Sequence, residues 1–212
     1  MELLLIRHAE CRSNNDAPGG DPPLTALGQA QAEAVAEFLA GEEIAHLVAA
    51  PSLRAMQTAD ALAARLGLAV ETDAGVAEFD RDFGFYLPGR RATGADDDPR
   101  KAAMYAGRWD ELGSTLTPQS FADEVWGAIE ALIARFPGQR VAVVTHGGVL
   151  NVYIGRVLGL PVWPLWFAPD NCSVTRVAAS RAGHRQLLSL NDKCWSRSEA
   201  FAAARGRLEP VR

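Results

Sequence analysis

Two short apolar runs each end in a histidine, and they constrain the fold of this chain more than any other feature. Leu3-Leu4-Leu5-Ile6 runs directly into Arg7 and His8, and Val141-Ala142-Val143-Val144-Thr145 runs into His146 in the same way. Apolar runs this short, cut off by polar residues, read as strands buried on both faces. In an open α/β sheet, ligands bind outside the carboxyl ends of the strands. Both histidines are therefore expected at the lip of one crevice. Taken alone, the first stretch is explained as well by a strand-end histidine in an ordinary hydrogen bond.

Helical stretches lie between the strands. Thr25 can cap a helix over Ala26–Ala40, with Leu27, Ala30, Ala34, Val35 and Phe38 at helical spacing and Gly41 beyond it. Leu47–Ala50 reads as a second strand, closed by Pro51. Leu53–Leu66 reads as a helix with Leu53, Ala55, Met56, Ala59, Leu62 and Ala63 on its apolar side, and Ala69–Thr72 as a short edge strand. Pro118–Phe136 carries Phe121, Val125, Ile129, Leu132, Ile133 and Phe136 on one stripe, which predicts a long helix. A helix is expected from Gly147 to about Leu158, late strands over Ser173–Ala179 and Gln186–Leu190, and a terminal helix within Glu199–Arg212. Alternating strand and helix predict an α/β three-layer α/β/α sandwich with a mostly parallel central sheet. The expected organisation is a domain over residues 1–195, an insertion at about 79–113 covering one side of the crevice, and a tail at 196–212. A short helix is expected near Asp98–Trp109, with Pro99 at its first turn. The insertion carries Arg81, Arg90, Arg91, Arg100, Lys101 and Arg108, any of which could reach a substrate.

A fixed guanidinium beside an imidazole suits phosphoryl chemistry, because arginine grips phosphoryl oxygens in a bidentate way and imidazole can attack phosphorus or move protons. Gly147 and Gly148 open a helix, where free N–H groups favour an anion. The net charge of -5 argues against a nucleic-acid or anionic-membrane surface, but local arginines can still bind a small anion. Cys11, Cys172 and Cys194 form no CxxC pair, so neither zinc nor a disulfide framework is indicated and a reducing, cytoplasmic setting fits. The first apolar run is too short for a signal peptide, and no apolar stretch is long enough to span a bilayer. His46 and His184 add no metal-ligand spacing to His8 and His146, so no metal is expected. The GxxxxGK[ST] phosphate loop and the GxSxG elbow are absent. The sixth positions after the cysteines are Ala17, Ala178 and Ala200, which excludes a cysteine phosphatase. Asp80-x-Asp82 follows too weak a strand for an aspartyl-phosphate nucleophile.

Leu5-Ile6-Arg7-His8-Ala9-Glu10 with Asn14 resembles the RHG signature of the histidine phosphatase superfamily, the phosphoglycerate mutase-like proteins. Leu24-Thr25-Ala26-Leu27-Gly28-Gln29-Ala30-Gln31-Ala32 is similar to the family's LTxxGxxQA segment, Ala50–Ala59 to its SPxxRAxQTA segment, and Val144–Gly148 to its second-histidine motif. These matches are ordered along the chain. The resemblance implies a phosphohistidine on His8. It also implies a phosphoryl pocket of Arg7, Arg54, Asn14, Gly147 and a protonated His146, with Glu78 as general acid and Asp80 or Asp82 as stand-ins for it. No metal or cofactor is implied. Two departures stand out: Ala9 replaces the usual Gly, and Pro118-Gln119-Ser120 replaces a common Gly-Glu-Ser, which leaves the substrate class open.

The resemblance favours a phosphatase acting on a small phosphorylated metabolite. The mutases' middle segment is not found between Glu78 and Gly113, and Ser189-Leu190-Asn191-Asp192 resembles a late phosphatase segment. A cofactor-dependent phosphoglycerate mutase and an inactive phospholigand-binding protein are the alternatives. Val162-Trp163-Pro164-Leu165-Trp166-Phe167 could be core, pocket wall or the face of a homodimer. Asn171 reads as a turn residue, and Gly28 and Gln29 as helix-packing residues.

Overall fold

A computed structural model of the chain describes residues 1–12, 20–86 and 99–208. Asn14, Arg90 and Arg91 lie outside the described residues.

The expected strands form one sheet. Strands β1 (Glu2–Arg7), β2 (His46–Ala49), β3 (Val70–Thr72), β4 (Arg140–Thr145), β5 (Val174–Ala179) and β6 (Arg185–Asp192) stand in the order β3-β2-β4-β1-β5-β6. The first four in that row run parallel, and β5 and β6 are antiparallel additions. The two central strands are the apolar runs that end in histidine. Leu3–Ile6 and Val141–Val144 are wholly buried, as strands covered on both faces must be.

Helices α1 (Ala26–Phe38), α2 (Leu53–Leu66), α3 (Pro99–Tyr105), α4 (Pro118–Arg135), α5 (Gly147–Val157) and α6 (Glu199–Leu208) complete the α/β fold. α1 packs with α2 and α6, and α4 with α5. The stripe of α4 is buried as expected, from Phe121 to Ile133 and on to Phe136 just past its end.

Two stripes differ from expectation. α1 turns its small residues Gly28, Ala32, Val35 and Ala36 inward, leaving Leu27, Ala30, Ala34 and Phe38 partly covered. α2 buries Arg54, Ala55, Thr58, Ala59 and Leu62 and exposes Leu53. The reason for the first is a contact just past β1: a Cβ on Gly28 would lie 1.9 Å from the Glu10 carbonyl. That approach rotates the helix toward its smallest side chains. In the second, Arg54 is turned inward, where Asp21 and Asp80 meet its guanidinium.

The described parts of 79–113 are held by aromatics. Phe79 stacks on Trp109 at 4.6 Å, with Phe121 and Trp163 edge-on around the pair. Ring pairs in such geometries add to area burial. α3 begins at Pro99, as expected, but is shorter than Asp98–Trp109, because Gly107 at φ +73° turns the chain away. At the other end, Phe201 of α6 is buried edge-on against Trp195 at 4.9 Å.

Candidate active site

β1 and β4 are adjacent and parallel with Arg7 opposite Thr145, so the residue after each strand is a histidine at the same height. The His8 N–H donates to the Thr145 carbonyl at 2.8 Å. The two imidazoles meet edge-on with ring centroids 5.1 Å apart, close to the spacing of neighbouring strands. His8 is 3% exposed and His146 1%.

His8 Nδ1 lies 2.8 Å from the Ala9 carbonyl. A neutral ring there donates from Nδ1, which leaves Nε2 with a free lone pair. Burial first, then the charges of Arg54 and Arg7, hold the His8 pKa well below the ordinary imidazole range. Ala9 fits without strain. It is fully buried, and its N–H donates to the Thr58 hydroxyl at 3.0 Å. Thr58 in turn donates to the Arg54 carbonyl at 2.7 Å.

The resemblance implies an imidazolium at His146; burial, then the charges of Arg54, His8 and Arg7, act against a proton there and hold its pKa well below the ordinary value. Its Nε2 lies 3.2 Å from the Ser52 hydroxyl, and its Nδ1 is buried without a partner. Ser52 occupies the N-cap position of α2 but makes no side-chain cap bond; its hydroxyl meets the imidazole instead.

Arg7 and Arg54 face the same cavity. Arg7 Nη1 donates to the Pro169 carbonyl at 2.6 Å. Arg54, second residue of α2 and 4% exposed, bridges Asp21 at 3.1 Å and Asp80 at 3.3 Å and lies 4.8 Å over the Tyr86 ring. A cation at a helix start opposes the dipole, and the two carboxylates offset that cost. Among the described residues, the buried Nε atoms of both arginines have no partner. A buried donor without a partner is costly in a folded protein, and here the unpartnered donors sit together beside His8.

Glu78 is half-buried against the start of α5. Its carboxylate accepts from the Gly148 N–H at 2.9 Å and from the Phe79 N–H at 3.2 Å. Burial and the neighbouring Asp80 carboxylate outweigh those bonds and raise its pKa to about 7. The glycine pair was expected to offer an anion its free N–H groups. For Gly148 the close neighbour is Glu78: a Cβ would lie 2.2 Å from Glu78 Oε1 and 2.6 Å from the Phe79 ring. Gly148→Ala is accordingly expected to expel the Glu78 carboxyl, while Gly147→Ala, whose Cβ would meet nothing nearer than 3.7 Å, leaves it in place.

These residues line a cavity of about 770 Å³. It holds Arg7, His8, Arg54, Glu78, His146 and Gly147 together, and Asp80 with them. Asp82 is not in the lining, and neither are Arg81, Arg100 or Lys101. Arg81 pairs with Glu124 at 2.6 Å, and Arg100 lies over the Phe85 ring. Among the described residues, no three His, Cys, Asp or Glu side chains converge as a metal site.

The other matched segments hold this geometry from behind. Gln31 accepts from the Glu10 N–H, Gln57 from the Leu24 N–H, and Thr25 caps α1 while donating to Glu10. Asn171 is more than a turn residue, since its amide donates to the His8 carbonyl at 3.0 Å. Asn191 pins the same loop by bonding Asp170 through both ends of its amide. Pro118-Gln119-Ser120 opens α4, where Thr117 and Ser120 cap each other. Ser52, Asp21 and Asn171 were missed as supports. A serine before a helix signals a cap, and nothing in its neighbourhood points to a distant imidazole.

The model of the histidine phosphatase superfamily (branch 1) matches residues 3–193. The chain belongs to that superfamily. A "Probable phosphoglycerate mutase" of Salmonella choleraesuis is 25% identical over 181 residues, 84% of each chain. A mycobacterial glucosyl-3-phosphoglycerate phosphatase superposes with a TM-score of 0.70 at 25% identity, covering 91% of this chain and 99% of that one. A mutant phosphoserine phosphatase of Entamoeba histolytica, solved with phosphoserine, shares the fold with a TM-score of 0.73 at 23% identity, over 92% and 98% of the two chains. Superfamily relatives thus include phosphatases and a mutase-like protein. No described helix is long and apolar enough to cross a membrane.

Proposed function

We propose that this histidine phosphatase-superfamily member is a metal-independent phosphomonoesterase acting on a small phosphorylated metabolite through a phosphohistidine on His8. The observation that carries the reading is His8, tied through Nδ1 to the Ala9 carbonyl and flanked by two arginines whose buried Nε–H groups have no partner among the described residues. In the proposed reaction His8 Nε2 attacks phosphorus and the ester P–O bond breaks. Glu78 gives its proton to the departing alkoxide. Water then attacks the phosphohistidine, Glu78 takes back a proton, and phosphate leaves. Arg7, Arg54 and the Nδ1 of His146 hold the equatorial oxygens, where charge sits in the transition state. Asn14 and the Gly147 N–H complete the pocket in this reading. A pKa of about 7 suits Glu78 to both steps.

The pH dependence follows with a definite sign. Glu78 must be protonated at the start, so kcat/KM on an alkyl phosphate should fall as pH rises past about 7. His8 must be neutral, and its lowered pKa moves the acid limb below the ordinary imidazole value. Turnover of p-nitrophenyl phosphate in EDTA, absent in His8→Ala, is the direct assay; loss of turnover on chelation would contradict the reading. Phosphoglycerate mutase activity is the competing reading suggested by the Salmonella relative's name. Among the described lining residues the cations are Arg7 and Arg54, both at the phosphoryl end, which disfavours a substrate carboxylate. Assaying 3-phosphoglycerate with 2,3-bisphosphoglycerate separates the two.

A further inference from the structure

Away from the histidines the cavity changes character. The segment after α5 supplies Leu165, Trp166 and Phe167, α3 supplies Met104 and Tyr105, and Tyr86 closes the side next to Arg54. The segment 162–167, open between core, wall and dimer face in sequence, thus splits. Val162 and Trp163 pack on the core, while Leu165 and Trp166 face the cavity and Phe167 does both. Two of these side chains remain open to solvent, Trp166 at 45% and Tyr105 at 36% exposed. Both belong to frameworks held by the backbone. Trp166 Nε1 donates to the Pro161 carbonyl at 2.8 Å, and Trp163 Nε1 donates to the Tyr105 carbonyl at 2.7 Å. The charged residues on the described lining, beyond the two arginines, are the carboxylates Glu10, Glu78, Asp80 and Asp170.

We infer that this wall, Tyr86, Met104, Tyr105, Leu165, Trp166 and Phe167, receives an apolar alcohol portion of the substrate, so that the preferred phosphomonoesters carry an alkyl or aryl group rather than an anionic or polyhydroxylated one. The inference rests on the phosphomonoesterase reading of the same cavity. Apolar and aromatic walls with a few converging polar groups are the usual form of a small-molecule site. The occupant is set by continuity: the wall runs on from the phosphoryl pocket, so whatever covers it is bonded to the phosphate. Among the described lining residues an added carboxylate would meet Glu10 and no cation beyond Arg7 and Arg54, while Asp170 is already paired with Lys193 at 2.8 Å. An apolar group gains by leaving water.

The test separates the wall from the chemistry. n-Alkylphosphonates keep an uncleavable C–P bond, so calorimetric binding of methyl- through hexylphosphonate reads the wall whether or not the enzyme turns over. Affinity is expected to rise about two- to fourfold per methylene, and kcat/KM of the matching n-alkyl phosphates, whose leaving groups differ little in basicity, should rise in parallel. In Trp166→Ala/Tyr105→Ala, at partly exposed positions, the gradient should flatten. It should persist in Leu188→Ala, exposed on the edge strand β6. A flat or falling gradient in the wild-type chain, or one untouched by the double variant, overturns the inference. Absent turnover of every ester beside an intact phosphonate gradient would instead reject the phosphomonoesterase reading and leave the wall standing.

Discussion

His8→Ala is expected to reduce kcat on any phosphomonoester by about four to six orders of magnitude, the scale seen when a covalent nucleophile is removed. The loss should be equally severe for good and poor leaving groups, because the missing group is the attacking one. The fold should survive. His8 is buried, but its side chain bonds only the neighbouring Ala9 carbonyl, and the backbone bond from its N–H to Thr145 needs no imidazole. Phosphate or vanadate should still bind to Arg7, Arg54 and His146. Binding with turnover abolished is the signature to look for, by calorimetry beside a colorimetric phosphate assay. Retained turnover would mean that water attacks phosphorus directly.

Glu78→Gln is expected to act differently, and its dependence on the leaving group is the informative part. On an alkyl phosphate the departing alkoxide needs a proton, so kcat should fall by about 100- to 10,000-fold. On p-nitrophenyl phosphate the phenolate leaves unaided, and the first step should be nearly unaffected. Gln keeps an oxygen to accept from the Gly148 N–H, so the local fold is preserved. The alkaline limb near pH 7 should vanish in the variant, because that limb is the titration of Glu78. Asp80→Asn is the control. Asp80 bridges Arg54 at 3.3 Å and its charge helps raise the Glu78 pKa, so its loss should move the alkaline limb to lower pH and, well below that limb, weaken phosphate binding with no preference for leaving group. A leaving-group-dependent loss in Asp80→Asn instead would move the acid to that carboxylate.

The central geometry was legible because it is carried by the backbone. His8 and His146 end adjacent parallel strands, and short apolar runs report buried strands directly. Arg54 was legible as an anomaly, a cation at the wrong end of a helix. What stayed hidden depends on side chains that meet across the fold. Nothing local to Ser52 announces His146, and nothing local to Gly148 announces Glu78, yet each pair is in contact. The environment of His146 was hidden too: burial and the neighbouring guanidiniums hold its pKa down, and both arise from contacts across the fold. The basic residues of the insertion looked like substrate ligands from their charge alone. In the fold, Arg81 faces Glu124 and Arg100 covers a phenylalanine ring. The wall at Trp166 could not be told from core or interface, since an apolar run carries no record of which face is left open.

The claim at the centre is that His8 itself carries the phosphoryl group. Rapid quenching of the wild-type chain with labelled substrate, followed by peptide mapping, tests it most directly. The account predicts an acid-labile, alkali-stable phosphoryl group on the peptide containing His8, formed within the first turnover, present in His46→Ala and absent in His8→Ala. Turnover with no label above the His8→Ala background, or a label mapped to any other residue, would contradict it.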